Sequence, residues 1–377
     1  MNPRILPILF GFFIMGFCDL VGISSNYVKH DFGCSDTTAN FLPFMVFIWF
    51  FVFSVPTGII MNKFGRKRTV QISNAITLAA MLIPFAGYTY TSCLVAFALL
   101  GIANTILQVS LNPLLSNVVN GQHLTSALTV GQFVKAISSL SGPFAASFAV
   151  VYFGEWRYIF PLFAGITLLS AIWLQCTRIV ETESAASSSS FKEVLGLLGN
   201  KTLLLMFLCI IALVGLDVGM NTATPRILVE RCGLNIEEAN YGTGVYFACR
   251  TAGAFIGSFI LAKFSSTKFF RFSMAITLIS LIVLLFSDDR IAILASVGVI
   301  GFACASLFSI IFSAALQKIP GKANEVSGLM ITGVSGGALI PILMGLATDA
   351  AGNQTGSVIV IIACAIYLAT FGIMFND

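Results

Sequence analysis

GIIMNKFGRKRT, residues 58–69, crowds four basic side chains, Lys63, Arg66, Lys67 and Arg68, into six positions. Apolar runs flank it on both sides, 40–61 before and 69–90 after. A helix needs about 20 apolar residues to cross roughly 30 Å of hydrocarbon, and each flank supplies them. The stretch therefore reads as a short basic turn joining two membrane-crossing helices. Carried outward along the chain, the same criterion finds twelve spans, at 5–27, 40–61, 69–90, 92–118, 124–152, 158–178, 202–228, 239–262, 268–287, 290–317, 324–350 and 355–375. The composition agrees: 57% of residues are hydrophobic, 10% are charged and the mean hydropathy is +0.95, whereas soluble domains carry about 25% charged residues. No ten-residue alternation of the barrel type occurs, so the spans are helices and the fold class is an all-α polytopic membrane protein.

Span 5–27 is too long for a signal-peptide core, has no small-residue cleavage site after it, and is expected to remain as the first helix. An even number of spans puts both termini on one side. Of the 20 basic residues, only Lys29, Arg157, Arg226, Arg231 and Arg290 fall on the opposite side, and Lys135 and Arg250 fall inside spans. The other thirteen share the side of the termini, so the termini are expected in the cytoplasm and the protein in the inner (plasma) membrane. The net charge of +4 comes from these loops and does not point to nucleic acid. The nine cysteines form no CxxC pair and read as small apolar fillers. No nucleotide-binding loop, metal-ligand cluster or nucleophile constellation occurs, so neither an enzyme nor a cofactor is expected.

Residues 179–201, containing ETESAASSSS, form the only loop long enough to be a linker. They divide the chain into six-helix halves, 1–178 and 202–377. Gly33, Ala39, Asn40, Phe41, Lys63 and Phe64 recur 200 positions later as Gly233, Ala239, Asn240, Tyr241, Lys263 and Phe264, which marks an internal duplication. Two such halves, with a site between them near the midplane, are the architecture of many secondary transporters.

The loop resembles the signature of the major facilitator superfamily, G-x-x-x-[DN]-[RK]-x-G-[RK]-[RK], matched by Gly58, Asn62, Lys63, Gly65, Arg66 and Lys67. The resemblance implies that this loop helps hold one access state, with Asn62 in place of the commoner Asp. More narrowly, SGLMITGVSGGALIPILMGLATDAAG from Ser327, LNPLLSNVV from Leu111 and EWRYIF from Glu155 resemble the fucose:proton symporter family of sugar transporters. That family carries a coupling Asp in helix 1 and a coupling Glu before an Asn-Pro in helix 4. Aligned on Phe32, those positions are Gly22 and Gln108 here, with Asp19 nearly one turn before Gly22.

Charges at the bilayer centre cost on the order of 3 kcal/mol or more and face the bundle interior. Lys135 lies roughly 14 Å from Ser126, and Arg250 roughly 15 Å from Asn240, so both are near the midplane. Asp19 and Asp217 lie in the outer halves of helices 1 and 7 and are the candidate coupling carboxylates. Asn104, Gln108 and Asn112 repeat every four residues along one face of helix 4, an amide stripe expected to line a cavity. Gln132, Lys135 and Ser139 share a face of helix 5, and helix 7 offers Asp217, Asn221 and Thr222 ahead of Pro225, a candidate helix break. The ammonium of Lys135 fits either an ion pair with Asp19 or a substrate contact; Arg250 fits either a brace on Asp217 or an anion clamp.

These residues predict a monomeric secondary transporter, embedded in lipid, that moves a small polar solute together with a proton or other cation. The symporter resemblance implies a sugar or sugar derivative. An organic-anion (sugar acid) carrier using Lys135 and Arg250, a multidrug exporter and a non-transporting sensor are the alternatives.

Overall fold

The computed structural model describes residues 4–34, 36–119, 121–181, 190–234, 236–239 and 241–374. Asn240 and the serine-rich part of the linker, 182–189, lie outside the described residues. Among those described, every regular element is helical. The first span is built from α1 (Ile5–Met15), a 3-10 turn (Gly16–Asp19) and α2 (Leu20–Phe32). Next come α3 (Asp36–Phe64), α4 (Arg66–Ala86), α5 (Tyr90–Ser116), α6 (Gly121–Phe153), α7 (Ile159–Cys176) and the short α8 (Phe191–Gly196). Thereafter α9 (Lys201–Cys232), α10 (Ile236–Ala239), α11 (Tyr241–Leu261), α12 (Ser266–Phe286), α13 (Arg290–Cys304) and α14 (Leu307–Lys318) follow. The chain closes with α15 (Ala323–Thr332), α16 (Gly336–Ala351) and α17 (Thr355–Met374). Among the described residues, eleven helical stretches are long and apolar enough to cross a membrane, and Ile5–Asp19 is a shorter apolar helix that leads into α2.

Two compact units emerge. The first holds Met1–Leu124, Val134–Leu197 and Ile319–Thr332; the second holds Thr125–Phe133, Leu198–Lys318 and Gly333–Asp377. In the first, α4 packs against α5 and α7, α3 against α5 and α15, and α1 against α5 and α7. In the second, α12 packs on α13 and α17, α11 on α13, and α9 on α16 and α17.

The 200-residue duplication is legible in detail. Helices α4 and α12 occupy 66–86 and 266–286. Thr89 caps α5 by accepting from Ser92 N, and Asp289 caps α13 by accepting from Ala292 N. Gly33 and Gly233 both take the left-handed conformation, φ +58° and +64°. Gln71 donates to Ala171 O at 2.8 Å near the end of α7, and Arg271 donates to Gly372 O at 2.7 Å near the end of α17.

Helix association in lipid has no hydrophobic drive of its own and rests on close packing at small residues and on interhelical hydrogen bonds. Both units use one such approach. A Cβ on Gly101 would lie 2.4 Å from Val46 O, and one on Gly301 would lie 2.7 Å from Tyr246 O, the same pair displaced by 200 residues. At the end of the first unit away from Gly65, Asp31 accepts from Tyr88 Oη at 2.7 Å and Trp156 Nε1 at 2.9 Å, which gives the EWRYIF tryptophan its place.

Because the obstacle at Gly101 and Gly301 is backbone rather than a movable side chain, Gly101→Val and Gly301→Val are each expected to destabilise by about 1–3 kcal/mol. Thermal melting in detergent, monitored by tryptophan fluorescence, checks this; an unchanged melting temperature in both would refute the shared packing contact.

Candidate functional site

The signature loop is a hydrogen-bonded hub inside the first unit. Gly65 has φ +81°, and a Cβ there would lie 2.9 Å from Glu181 Oε2. That carboxylate caps α4, accepting from Arg66 N at 2.6 Å and Lys67 N at 2.8 Å, where the helix exposes its free amides and positive dipole end. Lys67 Nζ reaches the other polarity, donating to Gln175 O at 3.0 Å and Thr177 O at 2.9 Å at the C-terminus of α7. Arg66, 6% exposed, donates through Nε to Asn324 Oδ1 at 2.7 Å, and through its terminal nitrogen to Pro113 O at 3.0 Å and to Asn117.

Asn62 completes the hub. It donates to Glu325 Oε1 at 2.6 Å and accepts from Asn324 Nδ2 at 2.7 Å. Beneath these bonds α3 and α15 meet backbone to backbone, for a Cβ on Gly58 would lie 2.7 Å from Asn324 O and one on Gly328 2.7 Å from Ser54 O. An aspartate at position 62 would face the Glu325 carboxylate; the amide donates to it instead. Asn324 and Glu325 escaped the sequence reading. The available signal was that Glu325 is the one acidic residue between Asp289 and Asp349.

The amide stripe is a tether between helices. Asn104, Gln108 and Asn112 are 3%, 6% and 1% exposed. Gln108 Nε2 donates to Asn104 Oδ1 at 3.1 Å, Asn104 Nδ2 donates to Met15 O at 3.0 Å, and Asn112 Nδ2 donates to Gln108 O at 2.9 Å. Met15 ends α1, so the stripe pins α5 to the point where the first span tightens into its 3-10 turn. Asn112 Oδ1 is buried without a hydrogen-bond partner.

Asp19 closes that turn and is exposed. Its Oδ2 accepts from Ser139 Oγ, and its Oδ1 from Cys18 Sγ at 3.3 Å. Lys135 lies one turn before Ser139 on α6, which also donates to Lys135 O at 3.1 Å. Of the pairings weighed for Lys135, an ion pair with Asp19 is not formed here. Gln132 sits on the same helix, within the stretch that groups with the second unit.

In the second unit the other two deep charges do meet. Arg250 bonds Asp217 Oδ2 at 3.0 Å, and Tyr246 Oη donates to Oδ1 at 2.6 Å. Tyr246 is four residues before Arg250 on α11, hence on the same face, a spacing that would have flagged it. Helix α9 runs through Pro225 without a break. Proline removes the bond to the carbonyl four residues earlier; that carbonyl, on Asn221, accepts from Thr243 Oγ1 at 3.3 Å. Pro113 likewise frees Val109 O, which accepts from Ser327 Oγ at 2.6 Å. Thr222 Oγ1 bonds back to Val218 O at 3.0 Å.

Two outcomes follow. Asp217→Asn is expected to cost about 1–2 kcal/mol, below a fully buried pair because both side chains are partly exposed. Addition of Arg250→Gln should then cost less than additively, as read from melting curves in a double-mutant cycle. Asn62→Asp sets a carboxylate against Glu325 and is expected to destabilise by about 1–3 kcal/mol, with Glu325→Gln in the same protein recovering part of the loss. An unchanged melting temperature in Asn62→Asp would refute the contact.

Comparison with known proteins places this arrangement. The family model described as Major Facilitator Superfamily matches residues 6–341. A "Glucose/galactose transporter" of Brucella abortus biovar 1 (strain 9-941) is 26% identical over 382 residues, covering 96% of this chain and 92% of its own. A "Putative glucose/galactose transporter" of Helicobacter pylori (strain ATCC 700392 / 26695) is 22% identical, covering 90% and 87%. The crystal structure of a variant of the E. coli fucose:proton symporter superposes with a TM-score of 0.86 at 16% identity, over 99% of this chain and 98% of that one; at that identity the likeness carries the fold, twelve membrane helices. The chain belongs to the Major Facilitator Superfamily and is a multi-pass membrane transporter rather than an enzyme.

Proposed function

We propose that this protein carries a sugar or sugar derivative across the inner (plasma) membrane by alternating access, driven by proton symport. The observation that carries the reading is similarity over nearly the whole chain to proteins named as glucose/galactose transporters. A fold shared with a proton-coupled sugar symporter supports it. The working protein is a monomer in lipid, its six-helix halves 1–178 and 202–377 joined by 179–201, with both termini cytoplasmic under the positive-inside rule.

Lys135, Gln132, Asn221, Thr222 and Arg250 are proposed as substrate contacts, with Asn104, Gln108 and Asn112 as the amide wall behind Asp19. Gly58, Asn62, Gly65, Arg66 and Lys67 form the conformational loop. To break the hub they build would cost several hydrogen bonds at once, which fits a contact that holds one access state.

The two coupling candidates differ in what protonation would disturb. A proton on Asp217 would discharge an ion pair with Arg250, whereas a proton on Asp19 would meet only a hydroxyl and a thiol. The cheaper acceptor is Asp19. In proteoliposomes with an inwardly directed proton gradient, the parent protein should accumulate radiolabelled sugar from a panel of neutral hexoses and hexuronates. Asp19→Asn should abolish accumulation while keeping sugar counterflow. Retained accumulation would move the coupling site elsewhere, and binding without counterflow by the parent would make the protein a sensor.

A further inference from the structure

The two cations inside the spans are not equivalent. Arg250 is answered by Asp217 at 3.0 Å. Lys135, also near mid-span, makes no hydrogen bond through Nζ and no ion pair among the described residues. The nearest candidate counter-charge, Asp19, has both carboxylate oxygens engaged by Ser139 and Cys18. An ammonium at hydrocarbon depth without a counter-ion is among the costliest groups a membrane protein can hold.

The surroundings fix the lysine in place. A Cβ on Gly16 would lie 2.7 Å from Lys135 O and 2.6 Å from Ser138 Cβ, so the 3-10 turn rests directly on α6 at this residue. Asn104, tied to Met15 O, backs the same turn from α5. The backbone of Lys135 is therefore held against the first span, while its ammonium offers three donors and no acceptor. Its complement is an anion. Cys18 and Asp19 on the first span are the other titratable groups beside it, and α5 contributes only the neutral amides of Asn104 and Gln108.

Building on the sugar-transport reading, we propose that the substrate is a monosaccharide bearing one carboxylate, a uronic or aldonic acid, and that Lys135 is the residue that binds the carboxylate. A single cation without a bonded counter-ion matches a monoanion; a dianionic phosphate would leave excess negative charge at the same depth. Gln132, Asn221 and Thr222, proposed above as substrate contacts, serve the remaining sugar hydroxyls. When the carboxylate occupies Lys135, the added negative charge beside Asp19 favours proton uptake there. Anion and proton then cross together. One monoanion with one proton carries no net charge, so transport is electroneutral.

The test uses the purified full-length protein with D-glucuronate, D-galacturonate and D-gluconate against D-glucose and D-galactose. Isothermal titration should show at least one acid binding about tenfold or more tightly than its neutral counterpart. Lys135→Gln should weaken that acid about thirtyfold or more, as expected when one side of a desolvated charge pair is removed, and Lys135→Arg should restore part of the loss. Uptake of the acid by the parent protein in liposomes should respond to a pH gradient but not to a potassium–valinomycin potential.

Equal or better binding of neutral hexoses, with an acid-to-neutral ratio unmoved by Lys135→Gln, would overturn the proposal and leave the sugar reading standing. Failure of every sugar to bind would remove both. Should Lys135→Gln not yield a monodisperse protein, the parent decides alone: potential-driven uptake of the acid overturns the proposal, and potential-independent uptake supports it.

Discussion

A polar group at the depth of the hydrocarbon has no water to turn to, so the protein itself has to supply its partner. That constraint explains placements that composition alone does not. Pro113 and Pro225 each strip a carbonyl of its helical bond, and in each case a hydroxyl from another helix supplies the replacement, Ser327 to Val109 O and Thr243 to Asn221 O. The helices then continue without a break, because a proline whose freed carbonyl is answered need not end the helix. Each repair also joins two helices, α5 to α15 and α9 to α11. The defect and the cross-link are the same interaction.

Arg66, in the basic turn between two spans, meets the same demand where burial in protein rather than lipid removes water. A buried guanidinium requires several acceptors in fixed directions, and it finds them on Pro113 O, Asn117 and Asn324. Those acceptors lie at the end of α5, just beyond it, and at the start of α15. Arg66 itself begins α4, one residue after a glycine whose positive φ leaves room for the capping carboxylate of Glu181. Three helix termini meet at this residue, two of them through its side chain, and the linker joins them through Glu181 on the backbone amides of Arg66 and Lys67. An approach of α3 to α15 at Gly58 and Gly328, where neither residue has a side chain to interpose, lets Asn62 and Asn324 reach one another.

The sequence disclosed the spans, the class and the duplication because those depend on hydropathy and periodicity, which are local and additive. The 200-residue offset even anticipates the Gly101 and Gly301 contacts. Partners separated by long stretches of chain were harder to see. The spacing of Asn104, Gln108 and Asn112 marks one face, but spacing says nothing about what the face meets; at Asn104 it meets the end of α1. Asp217 and Arg250 were read as a possible brace because both were charged and deep. Tyr246, the third member, carries no charge and so drew no attention, although the four-residue spacing to Arg250 was there to use.

The two deep carboxylates then fall into different physical situations. Asp217 is bound on both oxygens, by an arginine and by a tyrosine hydroxyl. Its protonation would strand Arg250, so it is suited to hold α9 and α11 together through a cycle. Asp19 sits in a 3-10 turn, exposed, beside a lysine that is not bonded to it, and its two partners are a hydroxyl that can rotate and a thiol that bonds weakly. The same turn rests on the α6 backbone at Lys135, so the two charged residues are carried by one close contact between the first span and α6. The proposed coupling of proton to solute calls on nothing longer-ranged than that contact.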